Sequence, residues 1–364
     1  MLSAGIATFF PLCALAALPP TFDAEVQELG RDWLTDNDGV GLTVGVYESN
    51  RRLFYNFGAT RLDGNRLPAK DTVYEIGSVA KTMAAQLLAR AVVEGRASLN
   101  DEVTKYLDDK YPNFVKDGEP IRLLHLANMT SQLVDNIPDT TQVRKLEGEP
   151  LATTKMAVFS QYTRDEFLRQ LHRIAPRATP GDRPGQSNVA AMLLVVVLEK
   201  IYGESFDVIL TREIEKPLRM ASGTQPPLKL LARGYTNENE EIPTFDARMS
   251  WPTGSLRYSA DDLLKYAAWQ MSEKDASVKL AHRGTWTSAD QRQSIAMYWL
   301  VTQSPQGRRL YYSGETFGFT AVSDLYPDAG VAVVLLANKS TDRAQETLRA
   351  LSVKIAALAR PAGG

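Results

Sequence analysis

Ser78 and Lys81 stand three residues apart in Ile76-Gly77-Ser78-Val79-Ala80-Lys81, and a hydroxyl beside an amine is equipment for nucleophilic catalysis. A free serine attacks poorly and needs a base; a lysine can serve only when burial or neighbouring positive charge leaves it neutral. Residues three apart share one face of a helix. Val79, Met83, Leu87 and Ala91 recur at helical spacing, and Gly95 falls where a C-terminal cap belongs. Ser78 would then lie near the positive end of the helix dipole, beside Lys81. The four-residue pattern is weak alone: Ser78 could equally be an N-cap beside a solvated lysine, and other serines can match such a pattern by chance. What decides is the rest of the chain.

Stepping outward from the motif, Val26, Leu29 and Trp33 predict a helix over about 24–35. Leu42–Tyr47 and Arg52–Phe57 flank a polar turn at 48–51 and read as strand, turn, strand. Near the other end, Phe319–Leu325 alternates, Pro327-Asp328-Ala329-Gly330 turns, and Val331–Ala337 is a continuous apolar strand suited to the middle of a sheet. Ala344, Leu348, Leu351, Ile355 and Leu358 mark a closing amphipathic helix. Between these ends, segments 79–94, 164–172, 189–202, 205–216 and 260–272 carry helical periodicity. Both termini therefore supply one sheet, with a helical insert between them. The expected fold class is α/β (α+β): an antiparallel sheet flanked by terminal helices, plus an all-helical subdomain. The expected division is 21–75 with 285–364 for the sheet and 76–284 for the helices, with the site in the cleft between.

Composition narrows the chemistry. With 41 basic against 43 acidic residues the net charge is −2, and no basic stripe with interleaved aromatics occurs, so no nucleic-acid partner is expected. The single cysteine, Cys13, excludes an intramolecular disulfide and a cysteine-based zinc site. His125, His172 and His282 are scattered, so no metal and no cofactor are expected. Leu2–Leu18 is mostly apolar, with Ala14-Leu15-Ala16 as a candidate cleavage signature. It reads as a signal peptide over residues 1–20 without a basic start, and so as periplasmic or secreted localisation. A short anchoring or buried segment is the alternative. Pro11, Pro19 and Pro20 and the marginal length argue against a stable membrane span.

From Tyr74-Glu75-Ile76-Gly77-Ser78-Val79-Ala80-Lys81 onward the chain resembles the class C β-lactamases and their relatives, among them D-alanyl-D-alanine carboxypeptidases, esterases and other penicillin-recognising serine hydrolases. The likeness continues through Ile121–Leu126 with Met129-Thr130-Ser131, Pro180-Gly181-Asp182-Arg183, Glu215–Met220, Ser259–Leu263 and Ser313–Phe319. It covers nearly the whole chain after the leader. The family's second motif, Tyr-x-Asn, stands here as Gln186-Ser187-Asn188. The resemblance gives Asn188 the part of orienting Lys81 and substrate, while a helix N-cap is its plain structural reading. Gln186 cannot relay protons as a phenol does, because an amide neither gains nor loses a proton near neutral pH.

The third motif, usually Lys-Thr-Gly or His-x-Gly on a strand, aligns with Tyr312-Ser313-Gly314. Gly314 lets a substrate backbone approach, and family geometry implies an oxyanion hole from the backbone N–H groups of Ser78 and Glu315. Two readings of Tyr312 stand open: a half-buried aromatic, or a hydroxyl that returns from the opposite wall the phenol missing at 186. Its replacement of a basic residue removes a charge that would attract a substrate carboxylate, which favours neutral esters or amides. The Glu315 side chain is either an acid at the site or turned to water. His125 is expected to be structural, and Trp251, Trp269, Trp286 and Trp299 to be core or cleft wall.

These residues imply a serine hydrolase acting through an acyl-enzyme on an ester, amide or D-amino-acid peptide, with a small molecule or peptide as its partner. Two other functions stay open: a penicillin-binding or ligand-sensing module whose deacylation stalls without the phenol, and an acyltransferase or peptide cyclase in which an amine or alcohol replaces water.

Overall fold

The structure, a computed structural model, describes residues 18–140, 151–245 and 254–359. Residues 1–17 of the leader, with Ala14-Leu15-Ala16, and Trp251 lie outside them. The first helix, α1, spans Phe22–Asp36, followed by strands β1 (Gly41–Glu48), β2 (Arg51–Gly58) and β3 (Val73–Glu75). Helix α2 (Ala80–Val93), the small hairpin β4 (Val115–Lys116) and β5 (Glu119–Pro120), and α3 (Leu123–Ala127) come next. Then follow α4 (Leu151–Gln161), α5 (Arg164–Leu171), α6 (Asn188–Tyr202), α7 (Phe206–Leu210), β6 (Gly234–Tyr235) and β7 (Glu241–Ile242). The return to the sheet passes through β8 (Arg257–Ser259), α8 (Ala260–Ser272) and α9 (Ala276–Ala281). The chain closes with β9 (Trp286–Thr287), β10 (Ser294–Ile295), β11 (Leu300–Ser304), β12 (Gly307–Glu315), β13 (Thr320–Tyr326), β14 (Val331–Ala337) and α10 (Ala344–Ala359).

Eight strands pair antiparallel in the order β2-β1-β14-β13-β12-β11-β10-β9. The sheet is thus built from both chain ends, as the apolar run at 331–337 requires. Its pleat sends Val331, Val333 and Leu335 to one face, where Val26, Trp33, Leu348 and Ile355 of α1 and α10 cover them. Ala332, Val334 and Leu336 point the other way and join Leu263 and Leu264 of α8 in the larger core. A strand covered on both faces has no place for alternating polar residues, which explains its unbroken hydrophobicity.

Helix α6 carries that larger core through the helical part. All ten residues from Val189 to Leu198 are buried, so the helix is enclosed on every side. It stops at Gly203, whose φ of +71° supplies the left-handed cap. Expected and observed helices differ in detail. The segment 205–216 is a short α-helix continued by one π-turn at Thr211–Glu215. Residues 77–79 form a 3-10 turn that feeds α2. Helix α4 and strands β9–β11 have no matching sequence expectation: Leu151–Gln161 alternates small, polar and apolar residues without a clean stripe, and the outer strands are two to five residues long.

Candidate active site

Strand β3 delivers the chain to Gly77, whose φ of +52° turns it sharply into the 3-10 helix Gly77–Val79. Ser78 lies in that turn, and Lys81 lies one turn on, in the first turn of α2. The Lys81 ammonium donates to Ser78 Oγ at 3.0 Å and to Asn188 Oδ1 at 2.7 Å. Lys81 is 2% exposed, whereas Ser78 is partly open to solvent. Burial disfavours the charged amine and lowers its pKa to about 8, against the opposing pull of the Asp135 carboxylate. A base near neutrality and a reachable hydroxyl therefore meet in hydrogen-bond contact.

Two glycines bring β12 against this turn. A Cβ on Gly77 would lie 2.5 Å from Glu315 N, and one on Gly314 would lie 2.2 Å from Ile76 O and 2.5 Å from Ser78 N. Only glycine permits backbones this close. The consequence is that the main chain at Ser78, in the first turn of a helical segment where N–H groups lack helical partners, faces the main chain at Glu315.

Asn188 opens α6, but it is not the cap. Ser187 Oγ accepts from Ala190 N at 3.0 Å and donates to Val134 O at 2.8 Å. The cap is thus one residue earlier than the sequence suggested, and the Asn188 amide is free for Lys81. Its backbone N–H reaches Asp135 O at 2.8 Å, and its Nδ2 donates to Asn136 Oδ1 at 2.9 Å.

The other motif residues lie elsewhere. Gln186 is exposed in the loop before α6 and makes no hydrogen bond to Ser78, Lys81 or Asn188 among the described residues. Tyr312 is 4% exposed, and its hydroxyl points at Met129 Sδ, 3.9 Å away, with its ring edge-on to Tyr298 at 6.0 Å. Among the described residues it makes no hydrogen bond to Ser78. Burial, reinforced by the Asp135 carboxylate, drives its pKa upward, which suits a core side chain. Strand alternation turns Ser313 and Glu315 to the opposite face. Ser313 Oγ donates to Gln345 Oε1 at 2.8 Å, and Gln345 Nε2 donates to Glu315 Oε2 at 2.7 Å. Ser340 also donates to the Glu315 carboxylate. Glu315 is therefore neither a free acid nor simply solvated; it is tied to α10 and the loop before it.

A cleft of about 280 Å³ runs beside Asn188 and Glu315, walled by Phe159, Phe245 and Phe317, with Asn136 and Lys155 as polar groups. Phe245 packs edge-on to both other rings, at 6.4 and 5.6 Å. Sequence reading missed Asp135, Asn136, Gln345 and these aromatics. Asp135, Asn136, Phe245 and Phe317 sit in loops and Phe159 in the unread helix α4, where no periodicity marks a face, while Gln345 lies on the polar side of α10, which the apolar stripe does not single out. The histidines stay outside: His125 Nδ1 accepts from Arg122 N at 3.2 Å, His172 stacks on Tyr111, and His282 is held between Glu273 and Gln270. Among the described residues, no group of three or more His, Cys, Asp or Glu is placed to hold a metal ion, and no helix is long and apolar enough to cross a membrane.

With this geometry in hand, the chain belongs to the β-lactamase family, whose model matches residues 22–357. It is 28% identical over 211 residues to the D-alanyl-D-alanine-carboxypeptidase/endopeptidase AmpH of Escherichia coli K12, an alignment covering 57% of this chain and 51% of AmpH. The match thus spans about half the length of that relative. A β-lactamase of Pseudomonas fluorescens is 22% identical over 370 residues, 91% of this chain and 96% of the other. The fold is similar to a β-lactamase/D-alanine carboxypeptidase from Pseudomonas syringae, with TM-score 0.79 at 18% identity over 94% of this chain and 100% of that one. A class C β-lactamase gives TM-score 0.79 at 20% identity, over 93% and 96%.

Proposed function

We propose that the protein is a serine hydrolase that works through an acyl-enzyme on Ser78. The observation that carries this is the buried Lys81 amine in contact with Ser78 Oγ at 3.0 Å, held from its other side by Asn188. In the forward step Ser78 Oγ bonds to the acyl carbon and its proton passes to Lys81 Nζ. The N–H groups of Ser78 and Glu315 hold the developing oxyanion, one such donor contributing about 3 kcal/mol. Lys81 then protonates the leaving amine or alcohol, and water releases the acyl group. The aromatic cleft and the loss of a basic residue at 312 support uncharged ester, amide or D-amino-acid peptide substrates. Sheet residues 21–75 with 285–364 and helical residues 76–284 form the two walls in this reading. The apolar leader supports export to the periplasm or beyond.

One observation favours slow deacylation as a second reading: among the described residues neither Tyr312 nor Gln186 is hydrogen-bonded to Ser78 Oγ. Intact-mass spectrometry after incubation with β-lactams, a fluorophosphonate and activated esters tests both. A Ser78-dependent adduct that clears within the turnover time supports hydrolysis, and one that persists supports a penicillin-binding module. No adduct on the parent, or an equal adduct on Ser78→Ala, ends the proposal.

A further inference from the structure

We propose that Asp135 is a positioning residue that acts on Lys81 through Asn136 and Asn188, its charge favouring the ammonium that Lys81 becomes on taking the Ser78 proton. The inference rests on the hydrolase reading above and adds to it residues that no motif contains.

Four hydrogen bonds run in series. Lys81 Nζ donates to Ser78 Oγ at 3.0 Å and to Asn188 Oδ1 at 2.7 Å; Asn188 Nδ2 donates to Asn136 Oδ1 at 2.9 Å; Asn136 Nδ2 donates to Asp135 Oδ2 at 2.8 Å. Both ends fix the polarity of the series. An ammonium can only donate and a carboxylate can only accept, so each amide between them has one allowed orientation. The other oxygen, Asp135 Oδ1, takes the backbone N–H of Asn188 at 3.2 Å, and Asp135 O takes it at 2.8 Å. The carboxylate thereby anchors the start of α6 as well as the amide series.

The charge has a use in the reaction. When Ser78 Oγ bonds to the acyl carbon, its proton makes Lys81 an ammonium in a buried site, the form that burial penalises. Asp135, itself exposed, is the charged group whose field, screened by solvent and smaller than the effect of burial, favours that ammonium. It also bears on the Tyr312 phenol from β12; Glu315 is turned to Ser340 and Gln345, and Lys155 of α4 lines the cleft. Lys81 can then hold the proton until it passes to the leaving nitrogen or oxygen, without a second proton carrier.

The test is the Lys81 titration read directly, by the 13Cε signal of lysine-labelled protein assigned through its loss in Lys81→Met. In Asp135→Asn, which keeps the size of the side chain, the Lys81 midpoint is expected at lower pH than in the parent, with Asp135→Glu returning it towards the parent. The rising limb of the p-nitrophenyl acetate burst rate is expected to move the same way, and its plateau to fall about tenfold, as it does in Asn136→Ala where the amide series is cut. An unchanged Lys81 midpoint in a folded Asp135→Asn overturns the proposal. The NMR reading does not depend on turnover. If Ser78→Ala matched the parent on esters while the midpoint still moved, the hydrolase reading would fall and the placement of Asp135 would stand.

Discussion

Raising the pH from 7 to 9 is expected to accelerate acylation of Ser78 about tenfold. The size follows from Lys81. With its pKa lowered to about 8, about a tenth of the amine is neutral at pH 7 and about nine tenths at pH 9. The assay is the burst rate with p-nitrophenyl acetate, or the second-order rate with a fluorophosphonate, from pH 6 to 10. The same shift sets a stability signature that needs no substrate. Between pH 8 and an ordinary lysine value of 10.5, the unfolded chain keeps a proton that the folded chain has released. The unfolded state then binds more protons, so stability rises with pH across that window. The cost of burying the ammonium is fully present below about pH 8, reaches about 3 kcal/mol, and is gone above the ordinary value. Lys81→Met lacks this group, so parent minus variant in urea unfolding free energy is expected to increase by about 3 kcal/mol from pH 7 to 10.5. Other titrating groups are common to both proteins and cancel. A flat burst profile, or parallel stability curves for parent and Lys81→Met, would show that Lys81 does not titrate near pH 8.

Gly314→Ala is expected to cost about 100-fold in kcat/KM or more, since its Cβ would press on Ser78 N at 2.5 Å and displace an oxyanion donor; steady-state kinetics on a folded variant checks this. Tyr312→Phe removes a hydroxyl whose partner is Met129 Sδ, so ester turnover is expected to stay within about threefold; a loss of two orders would make that phenol a proton carrier after all. Arg309→Met strands Asp324, a fully buried carboxylate that the guanidinium contacts at 2.8 Å and Ser352 at 2.6 Å. It is expected to destabilise by about 3 kcal/mol, read as a lowered urea midpoint.

The legible part of this protein is the part encoded by short spacing. Ser78 and Lys81 are one helical turn apart, so their meeting needs no tertiary information beyond the helix itself. Gly314 reads as a point of close backbone approach on a strand, and it sits where β12 meets Gly77 in the turn that carries Ser78. The sheet from both chain ends was legible for a similar reason: Val331–Ala337 is too apolar to lie anywhere but between two covered faces. Tyr312 shows where this style of reading stops. Alternation places it on the same face of β12 as Gly314, towards α2, and that much follows from the sequence. One residue pair along the strand, however, separates a side chain at the nucleophile from one beneath it, and that depth depends on where Met129 and Tyr298 leave room.

Gln186 and Asp135 make the complementary point. An amide is tolerated at 186 because the position is exposed, so its identity carries little packing information. Asp135 lies in an aperiodic loop between Val134 and Asn136, and its importance arises only when Asn188 arrives from the start of α6. A residue whose role is created by a partner fifty-three positions away leaves no local pattern. On the proposed reading the chemistry is therefore written in two ways: the nucleophile and base in the helical code of a single segment, and the field that governs the base in a contact between a loop and the start of α6.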